Sequence, residues 1–347
     1  MPRTLYARAR HRTERTPARR FWFVVLLAFG VIVVGALGAV GVTAWNLTRS
    51  FDAVEKIPSA FPAADVERPP VAEGAAALSM NFLLLGSDSR GDDLGSLADV
   101  SGQRSDTIVI VHVPADRAYV TVMSIPRDTW LDIPGYGEAK INAALSVGGV
   151  PLAVQTVESL IGSRIDHVAM VDFTGFEAVT DALGGVDVDN PIAFESYHLS
   201  GRTFPQGVQH LNGAEALAFA RERYAFSDGD FQRVRNQQLL IRSLLSELMH
   251  KSTVTDPGTM GALIGAITPH LAIDETLSST DLVNLGLDLR AVRTDDVTFF
   301  TIPTTGTGTS ADGQSIVNLD WAALPALQEA YRSDALAGGL PQLQAIG

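Results

Sequence analysis

Residues 82–88 (FLLLGSD), 107–113 (TIVIVHV) and 119–126 (YVTVMSIP) are apolar runs of strand length, each bordered by charged residues. Three more have the same character: 167–173 (HVAMVDF), 186–192 (VDVDNPI) and 297–303 (VTFFTIP). Several are too continuously apolar to leave one face in water, so the sheet they form is covered on both sides. Between them, 151–162 (PLAVQTVESLIG), 174–185 (TGFEAVTDALGG), 212–223 (NGAEALAFARER), 230–250 and 320–332 (DWAALPALQEAYR) carry helical spacing. Gly184 and Gly185 supply a helix stop, Asn212 with Glu215 forms a capping-box pattern, and Asp230 is placed to cap the helix near Phe231. The class is therefore α/β, a three-layer α-β-α sandwich with a mixed central sheet.

Outward from this core, Phe21 to Thr48 contains no charged residue and exceeds the ~20 residues a membrane-crossing helix needs. A cleaved signal peptide has a shorter apolar core, of roughly 7–15 residues, so the stretch reads as an anchor. Seven arginines against Glu14 precede it, which keeps the N-terminus in the cytoplasm and places the remainder outside. The organisation expected is a basic tail (1–20), a span (21–48), a Pro/Ala-rich linker (49–80), a catalytic domain (81–335) and a C-terminal tail (336–347). The segment 304–313, TTGTGTSADG, reads as a polar loop.

Of 26 basic and 39 acidic residues, those seven arginines and Glu14 lie before Phe21, so 19 and 38 remain, a formal charge of −19. Such a surface repels nucleic acid. Cysteine is absent, which excludes disulfides and thiolate chemistry. The histidines have no zinc-ligand spacing, and Ser87 in LGSDS lacks the G-x-S-x-G of a nucleophile elbow.

Arginines gather at element ends: Arg90, Arg104, Arg127, Arg221, Arg223, Arg233 and Arg235. Asp88, Asp106 and Asp128 accompany the first three at strand ends, where α/β proteins bind ligands. A guanidinium fork fits phosphate oxygens, and a neighbouring carboxylate can hold Mg²⁺. Any one such pair, taken alone, is more often a surface ion pair worth ~0–1 kcal/mol. Arg233 and Gln237 are four apart on one helix face, whereas Arg235 points elsewhere; Val234, Gln238, Ile241, Leu245 and Leu248 are the expected buried seam. Arg221 and Arg223 can share a ligand only if the helix ends between them.

The ordered strings NFLLLGSDSR, RSDTIVIVHV, MSIPRDTWLDIPG, KINAA, HVAMVDFTGF, LGGVDVDNP, LNGAEALAFARERY and DGDFQRVRNQQ resemble the LytR-CpsA-Psr family. The resemblance implies a membrane-anchored phosphotransferase that takes a glycopolymer from a polyprenyl-pyrophosphate carrier and joins it to peptidoglycan through a phosphodiester. It implies that Asp88 and Asp106 hold Mg²⁺, or Mn²⁺, against the pyrophosphate. Arg104, Arg127, Arg221, Arg223, Arg233, Gln237 and Lys140 would bind pyrophosphate oxygens, with Asn142 and Asp230 completing the rim. Asp88, Asp106 and Arg127 form the implied catalytic set, either aspartate serving as candidate base, and an apolar tunnel between sheet and helices would take the lipid. The sequence departs from the family at the insertion 91–103 and at Asn236, where many relatives have arginine; Arg235 lies ~100° away on the helix. A polyprenyl-pyrophosphate hydrolase and a non-catalytic envelope regulator are the alternatives. Abundant Ala, Gly and Arg suit an actinobacterial source.

Overall fold

A computed structural model describes residues 53–87, 97, 105–227, 229–249 and 257–337, except the side chains of 87, 106 and 257–260. The expected basic tail and membrane span lie outside the described residues, as do Asp88, Arg90, Arg104 and most of the insertion.

The fold is mixed α/β around a seven-stranded sheet. In spatial order its strands are β1 (Glu55–Ile57), β12 (Leu271–Asp274), β7 (His167–Asp172), β2 (Met80–Ser87), β3 (Ser105–Val113), β4 (Val120–Ile125) and β13 (Val297–Thr301). β2 runs parallel to β7 and antiparallel to β3, and β4 runs antiparallel to β3 and parallel to β13. The C-terminal ends of β2, β7, β4 and β13 therefore share one edge with the start of β3. A bulge occurs there: Gly86 pairs with Thr107 but Ser87 with Ser105, so the main chain of Asp106 is the extra residue.

Both faces of the sheet are covered, as the apolar runs require. On one, Leu83, Leu85, Ile110, Met123 and Met170 pack against Val154, Val157 and Ile161 of α1 (Ala143–Ile161) and Leu327 and Tyr331 of α7 (Leu324–Arg332). On the other, Val109, Val120 and Val122 meet Leu245 of α4 (Gly229–Leu248) and Leu285 of α6 (Ser279–Asp288). All six residues of β4 are buried, the signature of a central strand with helices on both sides. Within α1, Gly149 has φ 67°, a left-handed value open to glycine, so the regular helix restarts at Pro151, as the sequence indicated.

A second cluster joins α2 (Phe173–Ala182), α3 (Gly213–Arg221) and α4 to the strands β8 (Val186–Asn190) and β11 (Gly207–Leu211). β8 pairs with β11 and stands apart from the main sheet, with alternating burial suited to one covered face. Asn212 and Glu215 form the expected capping box, and Gly184 and Gly185 both have positive φ after α2.

Three expectations are corrected. The segment read as a linker is part of the domain: β1 adds a parallel edge strand beside β12, and Arg68 forks onto buried Glu158, with Nε donating to Oε2 at 2.9 Å. Its partners are distant in sequence, so local composition carries no trace of them. The segment read as a polar loop contains β14 (Thr304–Thr309), the edge of a second sheet ordered β14, β15 (Ser315–Leu319), β5 (Thr129–Ile133) and β6 (Gly137–Lys140). Alternating threonine and glycine suits a half-exposed edge strand while giving no apolar signal. Finally, α4 begins at Gly229, so Asp230 lies in its first turn, and the buried residues of α4 are Gln232, Arg233, Val234, Asn236 and Leu240. Gln238 from the expected seam instead donates to Ser124 Oγ at 3.1 Å and Thr301 Oγ1 at 3.2 Å.

Candidate active site

A cavity of about 650 Å³ opens at the shared sheet edge, between β2, β7 and the helices α2, α3 and α4. Its walls are largely aliphatic and aromatic, with Leu85, Val171, Phe176, Val179, Leu217, Leu240, Ile241 and Ile267 among them. Leu84 decides that this is real space: in β2, between β3 and β7, it retains 36% exposure. Helices seated directly on the sheet would have buried a leucine there.

Arg127, Arg221, Arg223, Arg233 and Gln237 line the same cavity. Each reaches it for a local reason. Arg127 follows β4 in a turn closed by Thr129, whose N–H donates to Pro126 O at 3.0 Å, and its own carbonyl accepts from Asn142 N–H at 3.2 Å. Arg221 ends α3 with its guanidinium over the Phe173 ring, 4.5 Å from the centroid. Glu222 then turns extended (φ −65°, ψ 128°), so the helix stops and Arg223 can face the cavity beside Arg221. Arg233 and Gln237 share one face of α4, as their spacing predicts.

Two carboxylates interleave with these cations. Asp230 lies 2.8 Å from Arg233 Nη2 and 3.7 Å from Arg223 Nη1. Asp128 lies 3.1 Å from Lys140 Nζ and 3.8 Å from Arg127 Nε. The two carboxyls also hydrogen-bond to each other. Burial, the bond to Asp128 and that residue's charge push Asp230 up, against Arg233 and Arg127. Burial also acts upward on Asp128, but its hydrogen bonds with Asp230 and Lys140 and the charge of Arg127 hold it below the ordinary range. The two carboxyls therefore titrate as a pair, with Asp230 the easier of the two to protonate.

Of the residues expected at the site, Lys140 is not among the cavity-lining side chains and pairs with Asp128, and Asn142 is buried and braces Arg127 through its main chain. The main chain of Asp106 is at the bulge next to Gly86 and Thr107, both cavity residues. Asp88, Arg104 and the Asp106 side chain lie outside the described residues. Among the described residues no cluster of three or more His, Asp or Glu suits a metal.

Sequence reasoning missed a second set at the mouth: Tyr197, His198, Tyr224 and Asp172. Tyr224 closes the string LNGAEALAFARERY and Asp172 ends the strand HVAMVDF, so their positions were legible but their roles were not. Asp172 caps α2, accepting from Gly175 N–H at 2.6 Å, and pairs with His270 Nδ1 at 3.1 Å. Arg235 does not replace the missing arginine: exposed on α4, it donates through Nε to Gln232 Oε1 at 3.0 Å. Asn236 is fully buried, accepting from Gln232 Nε2 at 2.9 Å and donating to Phe219 O at 3.2 Å.

The LytR_cpsA_psr family model matches residues 52–333. The cell wall biosynthesis protein LcpA of Corynebacterium glutamicum is 32% identical over 284 residues, covering 71% of this chain and 54% of that protein. The chain spans about half the length of that relative and of the probable cell wall biosynthesis protein LcpB from the same organism, at 54% and 47%. A polyisoprenyl-teichoic acid–peptidoglycan teichoic acid transferase, TagU of Enterococcus faecalis, is 29% identical over 320 residues, 89% of this chain and 96% of the relative. Among solved structures, B. subtilis TagV superposes with TM-score 0.62 at 25% identity, covering 74% of this chain and 97% of that one.

Proposed function

The chain belongs to the LytR-CpsA-Psr family, and from that premise we propose that it transfers a glycopolymer from a polyprenyl-pyrophosphate carrier to peptidoglycan through a phosphodiester bond. The observation that carries this reading is one cavity lined both by guanidinium groups and by a larger set of aliphatic and aromatic side chains. A polyprenyl pyrophosphate has the same division, a dianionic head on a long apolar chain. The name of the Enterococcus relative describes a transfer of this kind, from a polyisoprenyl carrier to peptidoglycan.

In this reading the lipid enters between β2 and the helices α2, α3 and α4. Arg127, Arg221, Arg223 and Arg233 face the pyrophosphate, and Gln237 adds an amide donor on the same helix face as Arg233. Phosphoryl transfer asks the protein mainly to position reactants and neutralise developing charge, which fixed guanidinium groups in a partly enclosed site do well. A wall-sugar hydroxyl oxygen bonds to the sugar-proximal phosphorus. The bond from that phosphorus to the bridging oxygen breaks, and polyprenyl phosphate leaves with the electron pair. The hydroxyl proton passes to an aspartate, Asp88 or Asp106. Water in place of the hydroxyl gives a pyrophosphatase side reaction.

Carboxylate oxygens such as those of Asp88 and Asp106 are hard donors of the kind Mg²⁺ or Mn²⁺ prefers, and the Asp106 main chain lies at the bulge beside Gly86 and Thr107 of the cavity lining, so these two residues would hold the ion. When bound, the metal would neutralise pyrophosphate oxygens. The anchor at 21–48 would hold the domain outside the cytoplasmic membrane, beside both carrier and peptidoglycan.

The test uses the full chain in detergent micelles with a polyprenyl-pyrophosphoryl disaccharide, with and without peptidoglycan fragments, in Mg²⁺ or chelator. Expected are metal-dependent release of polyprenyl phosphate and covalent attachment of disaccharide phosphate to the fragments. Release of free sugar phosphate, indifferent to the fragments, would convert the reading to a hydrolase. Absence of both release and lipid binding would leave a non-catalytic envelope protein.

A further inference from the structure

We infer that Tyr197, His198 and Tyr224 form a saccharide platform at the cavity mouth, which takes the pyranose next to the pyrophosphate of the donor; this rests on the phosphotransferase reading above. Three observations carry it. All three rings line the cavity beside Arg221 and Arg223. Tyr197 keeps 72% of its surface exposed and Tyr224 57%, although the rest of the cavity's aromatic lining, Phe173 and Phe176, is only partly exposed. The rings of Tyr197 and Tyr224 lie 4.6 Å apart, tilted by 50°, with His198 at 5.8 Å and 6.2 Å from them, so they form one angled surface.

That surface is braced from beneath. Glu222 is fully buried, and its two oxygens divide between two segments of chain. Oε2 accepts the Tyr197 N–H at 2.6 Å, whereas Oε1 accepts those of Arg223 and Tyr224 at 3.0 Å each. One carboxylate therefore fixes both tyrosines relative to the arginine beside them. His198 Nε2–H donates to Arg221 O at 3.1 Å, and Ser196 Oγ accepts the His198 and Leu199 N–H groups at 3.2 Å and 3.0 Å. Holding two tyrosines rigid and exposed suits a ligand that meets their faces.

The chemistry selects a sugar. A pyranose offers a weakly positive C–H face to the negative face of an aromatic ring and a rim of hydroxyls to polar groups. Tyr224 Oη accepts from Arg223 Nη2 at 2.7 Å, which leaves its hydroxyl hydrogen to donate outward. With the prenyl chain in the apolar interior and the pyrophosphate on the arginines, the first sugar falls on the solvent side of Arg221 and Arg223, where the rings are. Tyrosines also populate membrane interfaces, and the test separates that role.

The affinity of the full chain in micelles would be measured for two probes, polyprenyl pyrophosphate and a polyprenyl-pyrophosphoryl N-acetylhexosamine. Wild type is expected to favour the sugar-bearing probe by roughly 3–10-fold, the scale of one aromatic face contact. Tyr197→Ala should bring that ratio close to one, while Tyr197→Phe retains most of it; thermal unfolding checks that the exposed ring is not needed for folding. Equal loss on both probes would place the rings against lipid or bilayer and overturn the inference, as would no change on either. Wild type binding both probes equally would sink the platform alone, whereas wild type binding neither would remove the phosphotransferase reading and the platform with it.

Discussion

Replacing Arg127 with alanine separates a ligand-binding role from a structural one. The side chain is 19% exposed, and its ion pair with Asp128 spans 3.8 Å, too long for a good hydrogen bond. Asp128 keeps Lys140 at 3.1 Å when Arg127 is removed, so that carboxylate is not left without a cation. Loss of this long pair by itself costs ~0–1 kcal/mol, which in a domain of this size is about 2–4 °C of Tm. Against that stands the loss of one fixed cationic group facing the pyrophosphate. Removing one preorganised donor for a developing oxyanion costs about 2.7–4 kcal/mol, or roughly 100–1000-fold in turnover. The two effects are read on the same full chain, by thermal unfolding and by release of polyprenyl phosphate. Arg127→Lys restores charge without the fork and should fall between wild type and alanine. A Tm drop beyond about 8 °C, or turnover within threefold of wild type, would refute the reasoning, since the first makes Arg127 a structural residue and the second puts it off the reaction.

Asn236→Ala leaves the buried Phe219 carbonyl and Gln232 amide without their partner; about 1–3 kcal/mol of stability should be lost, visible in denaturant unfolding, and KM for the donor should rise because α3 carries Arg221. Leu217→Trp should fill part of the cavity, weakening binding of long-chain polyprenyl pyrophosphates while inorganic pyrophosphate binds as before; calorimetry with both compares them directly. Asp230, already pushed up by burial and Asp128, should take up a proton when an anion enters beside it, so affinity for a diester pyrophosphate should climb as pH falls from neutrality towards its midpoint. Calorimetry in two buffers of different ionisation enthalpy measures that uptake, and Asp230→Asn should abolish it; equal uptake in the variant would assign the proton elsewhere.

The central sheet was legible because its strands are nearly continuous apolar runs, and the helices because their periodicity survives in the surface pattern. Arg221 and Arg223 illustrate the limit of such reading. Their spacing told only that they diverge in an ideal helix, and it took the extended conformation at Glu222 to bring them together. β1 and Arg68 were illegible because their worth comes entirely from partners far along the chain, Ala272 and Glu158 among them. β14 was hidden by composition, since threonine alternating with glycine signals a turn as readily as an edge. Tyr197 and His198 belong to no motif, and only the folded chain places them beside Tyr224.

The mouth of the cavity also shows why an acidic protein carries its arginines among buried carboxylates. Two like charges about 5 Å apart at an effective dielectric near 20 repel by ~3 kcal/mol, so a bare ring of guanidinium groups would splay into solvent. Asp230 beside Arg223 and Arg233, and Asp128 between Arg127 and Lys140, offset that repulsion and fix the forks before ligand arrives. The same carboxylates would compete with a pyrophosphate if both stayed charged. Because Asp230 is the more readily protonated of the pair, the competitor nearest Arg233 is the one most easily neutralised when a second anion approaches. The arrangement thus holds its cations in place in the free protein and releases their N–H groups to the substrate, which a site made of arginines alone could not do.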